Sequence, residues 1–370
     1  MSKAVAVLYF GGTNLSVTVG SRSKSGVITI HSRATHEYGG IINREFVDPA
    51  SLPVILKQTI RTAMRQLTVK PSKLYISTPS SFSECFVDDT ALVFNYPKRI
   101  NDKDIEKLVG MVSYSDASRT VINRSAVFFR LDEGRAVTHA TGVMAKKIEA
   151  RVSLIIAHNY FVDTVRSCLA GSGFKKVEFI STDLARALYL IDEDSRDKTA
   201  VMIHCGMFST SVSVCCGDGL LFLKNFEQGI AHVINDVSLV MNIGFGVANI
   251  LVNEAILSVK MTESDSYQIF HDDEKHKYNA ALVNDIIKSR MELIAENIAR
   301  LIMVADKNLT QNNQFFICGG NLDAVKGARD FLSRAVGAHI VQCVCPLTKQ
   351  NGSEDLAINA LINMALAHEN

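Results

Sequence analysis

The sequence lacks three features that would each indicate a particular class of protein: a long apolar run, an excess of charge of one sign, and a paired C-x-x-C motif. No apolar run approaches the roughly 20 residues that a membrane-spanning helix needs, and the start, Met1-Ser-Lys, has none of the features of a secretory signal peptide. The net charge of +1 argues against nucleic acid as a partner. We therefore expect a cytoplasmic protein that reaches a membrane only through a partner or a lipid surface.

The cysteines follow no metal-binding or disulfide pattern. Most lie inside apolar runs, so we interpret them as reduced core residues of a cytosolic protein. They are Cys85, Cys168, Cys205, Cys215, Cys216, Cys318, Cys343 and Cys345. Cys343 and Cys345, with His339 nearby, suggest metal ligands, but alternate residues on one strand without a second cluster favour two buried thiols. No metal site is predicted.

The length and the opening pattern predict an α/β protein of two domains, because 370 residues are too many for one compact core. Three apolar strands, Ala4–Phe10, Leu15–Val19 and Val27–His31, are separated by short turns and predict an antiparallel meander. Asp48-Pro49 has the pattern of a helix N-cap followed by proline, and apolar residues follow it at helical spacing. A strand predicted at Lys73–Thr78 completes the order strand, strand, strand, helix, strand.

The second half of the sequence repeats this opening. Thr199–His204 and Ser211–Cys215 predict two strands around a glycine-containing turn, and Gly217-Asp-Gly219 predicts a hairpin into a third strand at Leu220–Leu223. We interpret the chain as a duplication of one α/β unit, with a cleft between the two copies.

The predicted domain boundaries follow from that duplication. The first core is assigned to residues 1–81 and 159–196, an inserted α/β subdomain to 82–158, and the second core to 197–370, with a smaller subdomain at about 237–305. The inserted part contains a capped helix that begins at Asn101. The charged segment His271–Lys277 is predicted to form a solvated loop or helix surface, and Ser353–Leu366 to form the last core helix.

Two strand-turn-strand hairpins, followed by a glycine pair after a later apolar strand, resemble the elements with which actin-like proteins hold a nucleotide. In such proteins the hairpin turns point backbone N–H groups at the phosphates. Here the glycine pair is Gly319-Gly320, after the apolar run Phe315–Cys318. The sequence therefore resembles the actin-like (ribonuclease H-like) ATPase superfamily, which has duplicated α/β domains with a cleft between them.

Within that superfamily the sequence resembles FtsA, the bacterial cell-division protein, in segments spread along the chain. They are Gly39–Asp48, Arg99–Ile105, Ser181–Leu188, Gly229–Asp236 and Ile286–Glu292. FtsA normally continues through a linker to an amphipathic membrane-binding helix, whereas few residues follow Leu366 here. The resemblance thus implies a divergent, C-terminally shortened relative without a membrane anchor of its own.

The resemblance also implies ATP or ADP with Mg²⁺ as cofactor, bound weakly or not at all, and assigns the residues that would contact it. They are Gly11, Gly12, Thr13, Asn14, Gly206, Ser209, Thr210, Gly229, Glu254, Gly319 and Gly320. Each glycine motif also has a purely structural interpretation, as a hairpin turn or a close strand-to-helix turn. For the first turn, which follows Tyr9, we favour the plain hairpin.

The departures from FtsA concern the residues that hold the metal. Where FtsA-like first loops carry aspartate this chain has Tyr9, and where the second loop has an aspartate followed by three glycines this chain reads His204-Cys-Gly-Met-Phe. The bulk of Met207 and Phe208 would occupy space that phosphate oxygens need. We interpret His204 as structural rather than as a base or a metal ligand, and we predict no catalytic residue and no efficient ATPase activity.

The function predicted from the sequence is an FtsA-like scaffold or adaptor of the division or cell-envelope machinery, with a degenerate nucleotide site and with self-association through residues 82–158. One alternative is a weak ATPase in which Asp218 or Asp236 holds the metal. Another is an adaptor on the same fold, such as a PilM-like pilus-assembly protein or a reactivating chaperone. The partners implied are proteins, with no nucleic acid.

Overall fold

A computed structural model describes residues 4–65, 67–134, 136–271, 274–306, 313–319, 325–343 and 353–369. The chain divides into two compact units. The first contains residues 1–200, 213–224 and 344–370, and the second contains residues 201–212 and 225–343. Both units contain helices and strands, as the α/β prediction requires.

The strands, in chain order, are β1 (Ala4–Phe10), β2 (Asn14–Arg22), β3 (Ile28–Glu37), β4 (Ile41–Ile42), β5 (Glu45–Phe46), β6 (Lys73–Thr78), β7 (Ser83–Arg99), β8 (Arg119–Leu131), β9 (Ala136–Val137), β10 (Met144–His158), β11 (Lys176–Ser181), β12 (Ala200–Cys205), β13 (Thr210–Cys216), β14 (Gly219–Phe226), β15 (Ser266–His271), β16 (Glu274–Asn279), β17 (Gln314–Cys318) and β18 (Ile340–Gln342). The helices are α1 (Leu52–Met64), α2 (Asp102–Gly110), α3 (Asn159–Cys168), α4 (Thr182–Leu190), α5 (Glu193–Arg196), α6 (Ile230–Met241), α7 (Phe245–Glu254), α8 (Ala280–Ala305), α9 (Ala328–Val336) and α10 (Ser353–Ala367).

Two five-stranded sheets share one strand order. The first sheet has the order β11-β6-β1-β2-β3, in which β1, β2 and β3 pair antiparallel while β6 and β11 run parallel to β1. The second has the order β14-β13-β12-β17-β18. Read from its other edge, the second sheet has the order β18-β17-β12-β13-β14. Each strand then corresponds to the strand at the same place in the first sheet, so that β12 corresponds to β1 and β17 to β6. This repeat agrees with the duplication predicted from the sequence.

The core of the first unit is built from the apolar faces of this sheet and its helices. Phe161 of α3 stacks on Phe82 with ring centroids 4.8 Å apart, and Phe10 packs edge-on to it at 5.4 Å. Helix α1 begins at Leu52 with Ser51 as N-cap, so the N-cap predicted at Asp48-Pro49 is wrong. The carboxylate of Asp48 instead accepts a hydrogen bond from the Ser51 amide at 3.2 Å, in the turn that precedes the helix.

Helix α10 lies far along the chain but completes the core of the first unit. Arg33 in β3 forms ion pairs with Glu354 and Asp355 at the start of α10, each at 2.6 Å. Beyond its other end, the Tyr75 hydroxyl donates to Glu369 at 2.7 Å. Between these contacts the helix lies so close to β2 that a Cβ on Gly20 would sit 2.8 Å from a side-chain methyl of the helix. The helix predicted at Ser353–Leu366 is thus confirmed within one residue.

The middle of the first unit contains a separate four-stranded sheet with the order β7-β10-β8-β9 and the helix α2. The cap predicted at Asn101 is confirmed, since its side chain accepts a hydrogen bond from the Asp104 amide at 3.1 Å. Strand β7 was not predicted, because polar and charged residues alternate along most of its length with half-buried ones. The subdomain boundaries at residues 82 and 158 stay a prediction.

The described residues of the second unit add a helical part and a small hairpin. In chain order, helices α6, α7 and α8 come after β14 and before β17. Strand β15 pairs antiparallel with β16. The loop or helix predicted at His271–Lys277 is wrong for the described residues, which belong to these two strands. The predicted solvation is confirmed, since these residues are exposed apart from the half-buried His276. Among the described helices none is both long enough and apolar enough to cross a membrane alone; α6 and α7 pass that test only as a pair, across a 110° bend.

The cysteines behave as the composition suggested. Of those that the structure describes, all but Cys85 are buried, and none forms a disulfide. Burial raises the pKa of the Cys215 thiol to about 12, so this side chain is a neutral core residue at physiological pH. Cys343 is buried, while Cys345 lies outside the described residues.

Candidate nucleotide site

The first predicted phosphate turn joins β1 to β2 and is closed by its own backbone. The Gly11 amide donates to the Asn14 carbonyl at 2.8 Å, and a Cβ on Gly11 would lie 2.8 Å from the same oxygen. Tyr38, which follows β3, then binds two further carbonyls. Its amide donates to Thr13 at 2.9 Å and its hydroxyl to Gly11 at 2.8 Å. A single tyrosine therefore binds two carbonyl groups of this turn.

Burial raises the pKa of the Tyr38 phenol well above its usual value, and the nearby Tyr9 adds to the effect. The hydroxyl therefore stays protonated and remains a hydrogen-bond donor to Gly11. Sequence reasoning missed this residue, although it directly precedes the Gly39-Gly pair of an FtsA-like segment.

A buried charged pair stands beside Tyr9. Arg186 donates from Nη2 to the Tyr9 hydroxyl at 3.2 Å, and its Nη1 lies 4.0 Å from Asp183 Oδ1. Both charged residues come from α4, three positions apart, and are only 4% and 2% exposed. A guanidinium thus lies next to the position where FtsA-like proteins carry an aspartate. Asp183 and Arg186 lie inside a segment that resembles FtsA and were not predicted as site residues. The available signal was a pair of opposite charges on an otherwise apolar helix.

The second predicted phosphate turn, between β12 and β13, repeats the closure of the first. The Gly206 amide donates to the Ser209 carbonyl at 2.8 Å, the same bond at the same distance. Thr210 at the start of β13 donates from its hydroxyl to the Gln228 carbonyl at 2.7 Å. The ring of His204 lies against this turn, with Cε1 3.3 Å from where a Cβ on Gly206 would be. The turn is therefore fixed to the segment that leads into α6.

The first backbone amides of α6 are bound by the carbonyls of this turn. Ile230 donates to Gly206 at 3.1 Å and Ala231 donates to Met207 at 2.9 Å. The amides of a helix N-terminus ordinarily lack partners within the helix, which makes them a site for phosphate. Here the protein itself provides the acceptors.

The remaining two amides at this helix start are bound as well. Gly229, the N-cap, donates to Nδ1 of His232 at 3.1 Å, and His232 donates its own amide to the Gly229 carbonyl at 3.1 Å. Glycine is required here, because a Cβ at this position would lie 2.4 Å from the Gly206 oxygen and 2.7 Å from the Met207 oxygen. His232 was missed by the sequence reasoning; a side chain with an acceptor three residues after Gly229 was the available signal.

Burial and the nearby guanidinium of Arg290 lower the pKa of His232 below its usual value. The ring is therefore neutral at pH 7, which leaves Nδ1 able to accept the bond from the Gly229 amide. The cap depends on this protonation state, because both nitrogens of an imidazolium are donors.

The other predicted residues lie elsewhere in the second unit. Glu254 is exposed at the C-terminal end of α7, and Gly319 is buried directly after β17 with φ of +80°. Gly320 lies outside the described residues. The structure thus brings Gly206, Thr210 and Gly229 into one contact group, while Gly11–Asn14 form a separate turn in the first unit.

The two carboxylates considered as alternative metal ligands are each paired with an arginine. Asp236 accepts two hydrogen bonds from Arg290, at 2.6 and 2.9 Å. Asp218 is 66% exposed in its side chain and lies 3.6 Å from Arg196. Within the part of the chain that the structure describes, no three residues among His, Cys, Asp and Glu are grouped as metal ligands would be.

Comparison with known proteins agrees with the resemblance seen in the sequence. No model of a known protein family matches the chain. The cell division protein FtsA of Streptococcus pneumoniae is 20% identical over 297 residues, which cover 79% of this chain and 65% of that protein. FtsA of Enterococcus hirae is 20% identical over 69% of this chain and 59% of its own length. The chain therefore spans less than two thirds of the length of these relatives.

Solved structures of similar fold cover nearly the whole chain. A PilM–PilN type IV pilus biogenesis complex gives a TM-score of 0.62 at 12% identity, over 99% of this chain and 98% of that one. An MreB protein of Spiroplasma citri bound to AMPPNP gives 0.59 at 9% identity, over 100% and 98%. EutJ of Carboxydothermus hydrogenoformans gives 0.53 at 12% identity, over 98% and 90%.

The protein therefore has the fold of the actin-like ATPase superfamily, and the fold prediction is confirmed. In sequence the chain is similar to FtsA, at 20% identity to two FtsA proteins, in agreement with the resemblance described above. Its similarity extends in sequence to a cell-division protein and in fold to a pilus-biogenesis protein.

Proposed function

We propose that this chain is an FtsA-like adaptor or scaffold of the division or cell-envelope machinery, and that its nucleotide site is degenerate. The observation that carries the proposal is the start of α6. All four of its first amides, from Gly229 to His232, donate to acceptors of the protein. A phosphate would have to displace the carbonyls of the second turn before it could use these donors.

The first turn supports the same conclusion through charge. Arg186 places a buried cation beside Tyr9, where magnesium would need an oxygen ligand of opposite charge. Two cations in a poorly solvated site repel each other, and the one buried carboxylate described beside this cation, that of Asp183, is already paired with Arg186 at 4.0 Å. A nucleotide that arrives with Mg²⁺ is therefore disfavoured at this turn.

The pairing of Asp218 and Asp236 with arginines argues against a weak ATPase as the main activity. Phosphoryl transfer depends on a metal ion held by fixed oxygen ligands. Asp236 would have to leave a bidentate guanidinium with hydrogen bonds of 2.6 and 2.9 Å to serve as one. We expect that exchange to be unfavourable.

The adaptor role requires a surface for protein contact, and the sheet within residues 82–158 offers one. Strand β7 lies at the edge of that sheet and exposes Val93 and Tyr96 by 68% and 81%. An edge strand with exposed apolar side chains favours pairing with another protein chain. We assign self-association or partner binding to this edge, and we place the protein in the cytoplasm, recruited to the membrane by its partner.

Isothermal titration with ATP and Mg²⁺ tests the degenerate site. We expect dissociation constants no tighter than roughly 100 μM, and no recovery in a Tyr9→Asp/His204→Asp variant, because the amides of α6 stay occupied. The MreB protein of Spiroplasma citri, titrated with AMPPNP, is the positive control. A sub-micromolar, metal-dependent signal for the unaltered chain would contradict the proposal.

The same preparations provide a second readout, by sedimentation velocity. A Val93→Lys/Tyr96→Lys variant is expected to sediment as a smaller species than the unaltered chain at equal concentration. Val54→Lys is the control, since Val54 is 67% exposed but lies on α1. If the unaltered chain self-associates and both variants sediment as it does, the contact does not involve Val93 and Tyr96 of β7.

A further inference from the structure

A pocket of about 530 Å³ opens in the first unit between the end of α1 and the turn that precedes β11. Four of the side chains that line it are cationic: Lys57, Arg61, Arg65 and Lys70. No carboxylate lines the pocket, and none of the four cations forms an ion pair or a side-chain hydrogen bond with any residue that the structure describes. The volume lies within the range of small-molecule sites, roughly 300–1,000 Å³.

The spacing of these cations is unfavourable for the isolated fold. Lys57, Arg61 and Arg65 follow one another at intervals of four along α1 and its C-cap, so they share one face of the helix. Like charges at this spacing repel each other. The negative end of the helix dipole offsets the charge of Arg61 and Arg65 in the last turn, but it does not explain why Lys57 and Lys70 converge on the same pocket.

Apart from Ser172 and two glycines, the rest of the lining is apolar. Ile60 and Met64 are buried side chains of α1, and Pro71 and Phe174 are half-buried. A ligand for this site would therefore present negative charge to the four cations and an apolar part to Ile60, Met64, Pro71 and Phe174. The pocket shares no residue with the predicted nucleotide site.

We propose that this pocket binds a phosphate-bearing molecule that also carries an apolar group. A phosphate monoester concentrates between one and two negative charges in a single compact group, whereas a carboxylate carries one. Arginine matches phosphate oxygens with two parallel hydrogen bonds. Arg61 and Arg65 would hold the phosphate, Lys57 and Lys70 would add charge, and Ile60 and Met64 would contact the apolar group. The ligand is either a free phosphorylated small molecule or the headgroup of an anionic lipid.

The full chain is titrated calorimetrically with inorganic tripolyphosphate at low salt and, separately, floated with vesicles of phosphatidylglycerol or of phosphatidylcholine. The pocket variant is Lys57→Ala/Arg61→Ala. Its matched control is Lys103→Ala/Lys107→Ala, which removes two exposed cations at the same spacing from α2. We expect the pocket variant to lose at least roughly tenfold in affinity for the probe that binds, and the control to bind as the unaltered chain does.

The two probes distinguish the sources of the phosphate. Binding of tripolyphosphate alone, lost in the pocket variant, indicates a free ligand; flotation with phosphatidylglycerol but not phosphatidylcholine, lost in the same variant, indicates a lipid headgroup. If the double variant has a lower melting temperature than the unaltered chain, Lys70→Ala is used to repeat the test, because Lys70 lies outside any described helix. The proposal is overturned if neither probe binds, if the control loses as much affinity, or if poly-glutamate competes as well as tripolyphosphate.

Discussion

The two glycine turns have the same closing bond but are held in place by different means. In each turn a glycine amide donates to the carbonyl three residues later, at 2.8 Å. In the first turn two carbonyls are bound by Tyr38, through its hydroxyl and its amide, and Arg186 binds the hydroxyl of the adjacent Tyr9. In the second they are satisfied by the backbone of α6, through Ile230 and Ala231. The two turns thus share the same closing bond, while different contacts hold each turn to its surroundings.

The comparison predicts that the first turn is sensitive to the loss of one buried side chain. Arg186→Met leaves the carboxylate of Asp183 in the interior without the guanidinium 4.0 Å away. Removing one partner of a buried ion pair destabilises a protein by about 3–5 kcal/mol. Urea unfolding of the full chain should show a loss of this size.

Arg166→Met is the matched control for that experiment. Arg166 also pairs with an aspartate three positions before it, at 3.6 Å, but the side chains of Arg166 and Asp163 are 55% and 67% exposed. An exposed pair contributes less than about 1 kcal/mol. Equal losses in the two variants would show that burial of the Arg186 pair has no special role.

The second turn should instead be sensitive to added backbone volume. Gly229→Ala places a methyl group 2.4 Å from the Gly206 oxygen, so the turn or the helix must shift, at a cost of about 1–3 kcal/mol. Gly244→Ala is the control. Gly244 is also an N-cap, of α7, but a Cβ there would meet no atom within 4 Å. If thermal or urea unfolding gives the same value for both variants, the close approach at Gly229 is not what stabilises the turn.

The smallest expected effect is a pH dependence of stability that comes from the second turn and not from the first. Because folding lowers the pKa of His232, the cap on Gly229 is fully present above about pH 6.5 and is lost as the pH falls through the lower pKa of the folded state. His232→Gln keeps an acceptor that does not titrate. Its free energy of unfolding should exceed that of the unaltered chain by about 0.5–1 kcal/mol at pH 5 and match it at pH 8.

His339→Gln, at an exposed position, controls for the charge change. A parallel pH dependence of the unaltered chain and His232→Gln would contradict the capping role. The first turn has no histidine among the contacts described above and is not expected to follow this curve.

The sequence predicted the elements whose signals are local. β1 and β6 have the predicted bounds, and the helix after Asn101 begins where the predicted cap placed it. Strand β7 was missed because one of its faces is polar, so its apolar positions alternate too weakly to be recognised. The start of α1 was misplaced because Asp48-Pro49 and Ser51 with Pro53 are both valid cap patterns, and the helix begins at the second.

The sequence placed the turns of the candidate site but not the groups that occupy them. Gly11–Asn14 and Gly206–Thr210 are turns where the pattern predicted them. The bonds from Ile230 to Gly206 and from Arg186 to Tyr9 join residues far apart in the chain. A charged pair on an apolar helix could have marked Arg186 as a candidate, but which partner it binds depends on tertiary packing, which spacing and composition do not specify.

The position of α10 bears on how the protein is made. The first unit begins with β1, yet it is incomplete until residues 353–367 have been synthesised and can reach β2 and β3. Until then the surface that α10 covers, including the close contact at Gly20, remains open to solvent and to other chains. Folding of the first unit is therefore completed only well after the strands of its sheet have been synthesised, and chaperones can bind it in that interval.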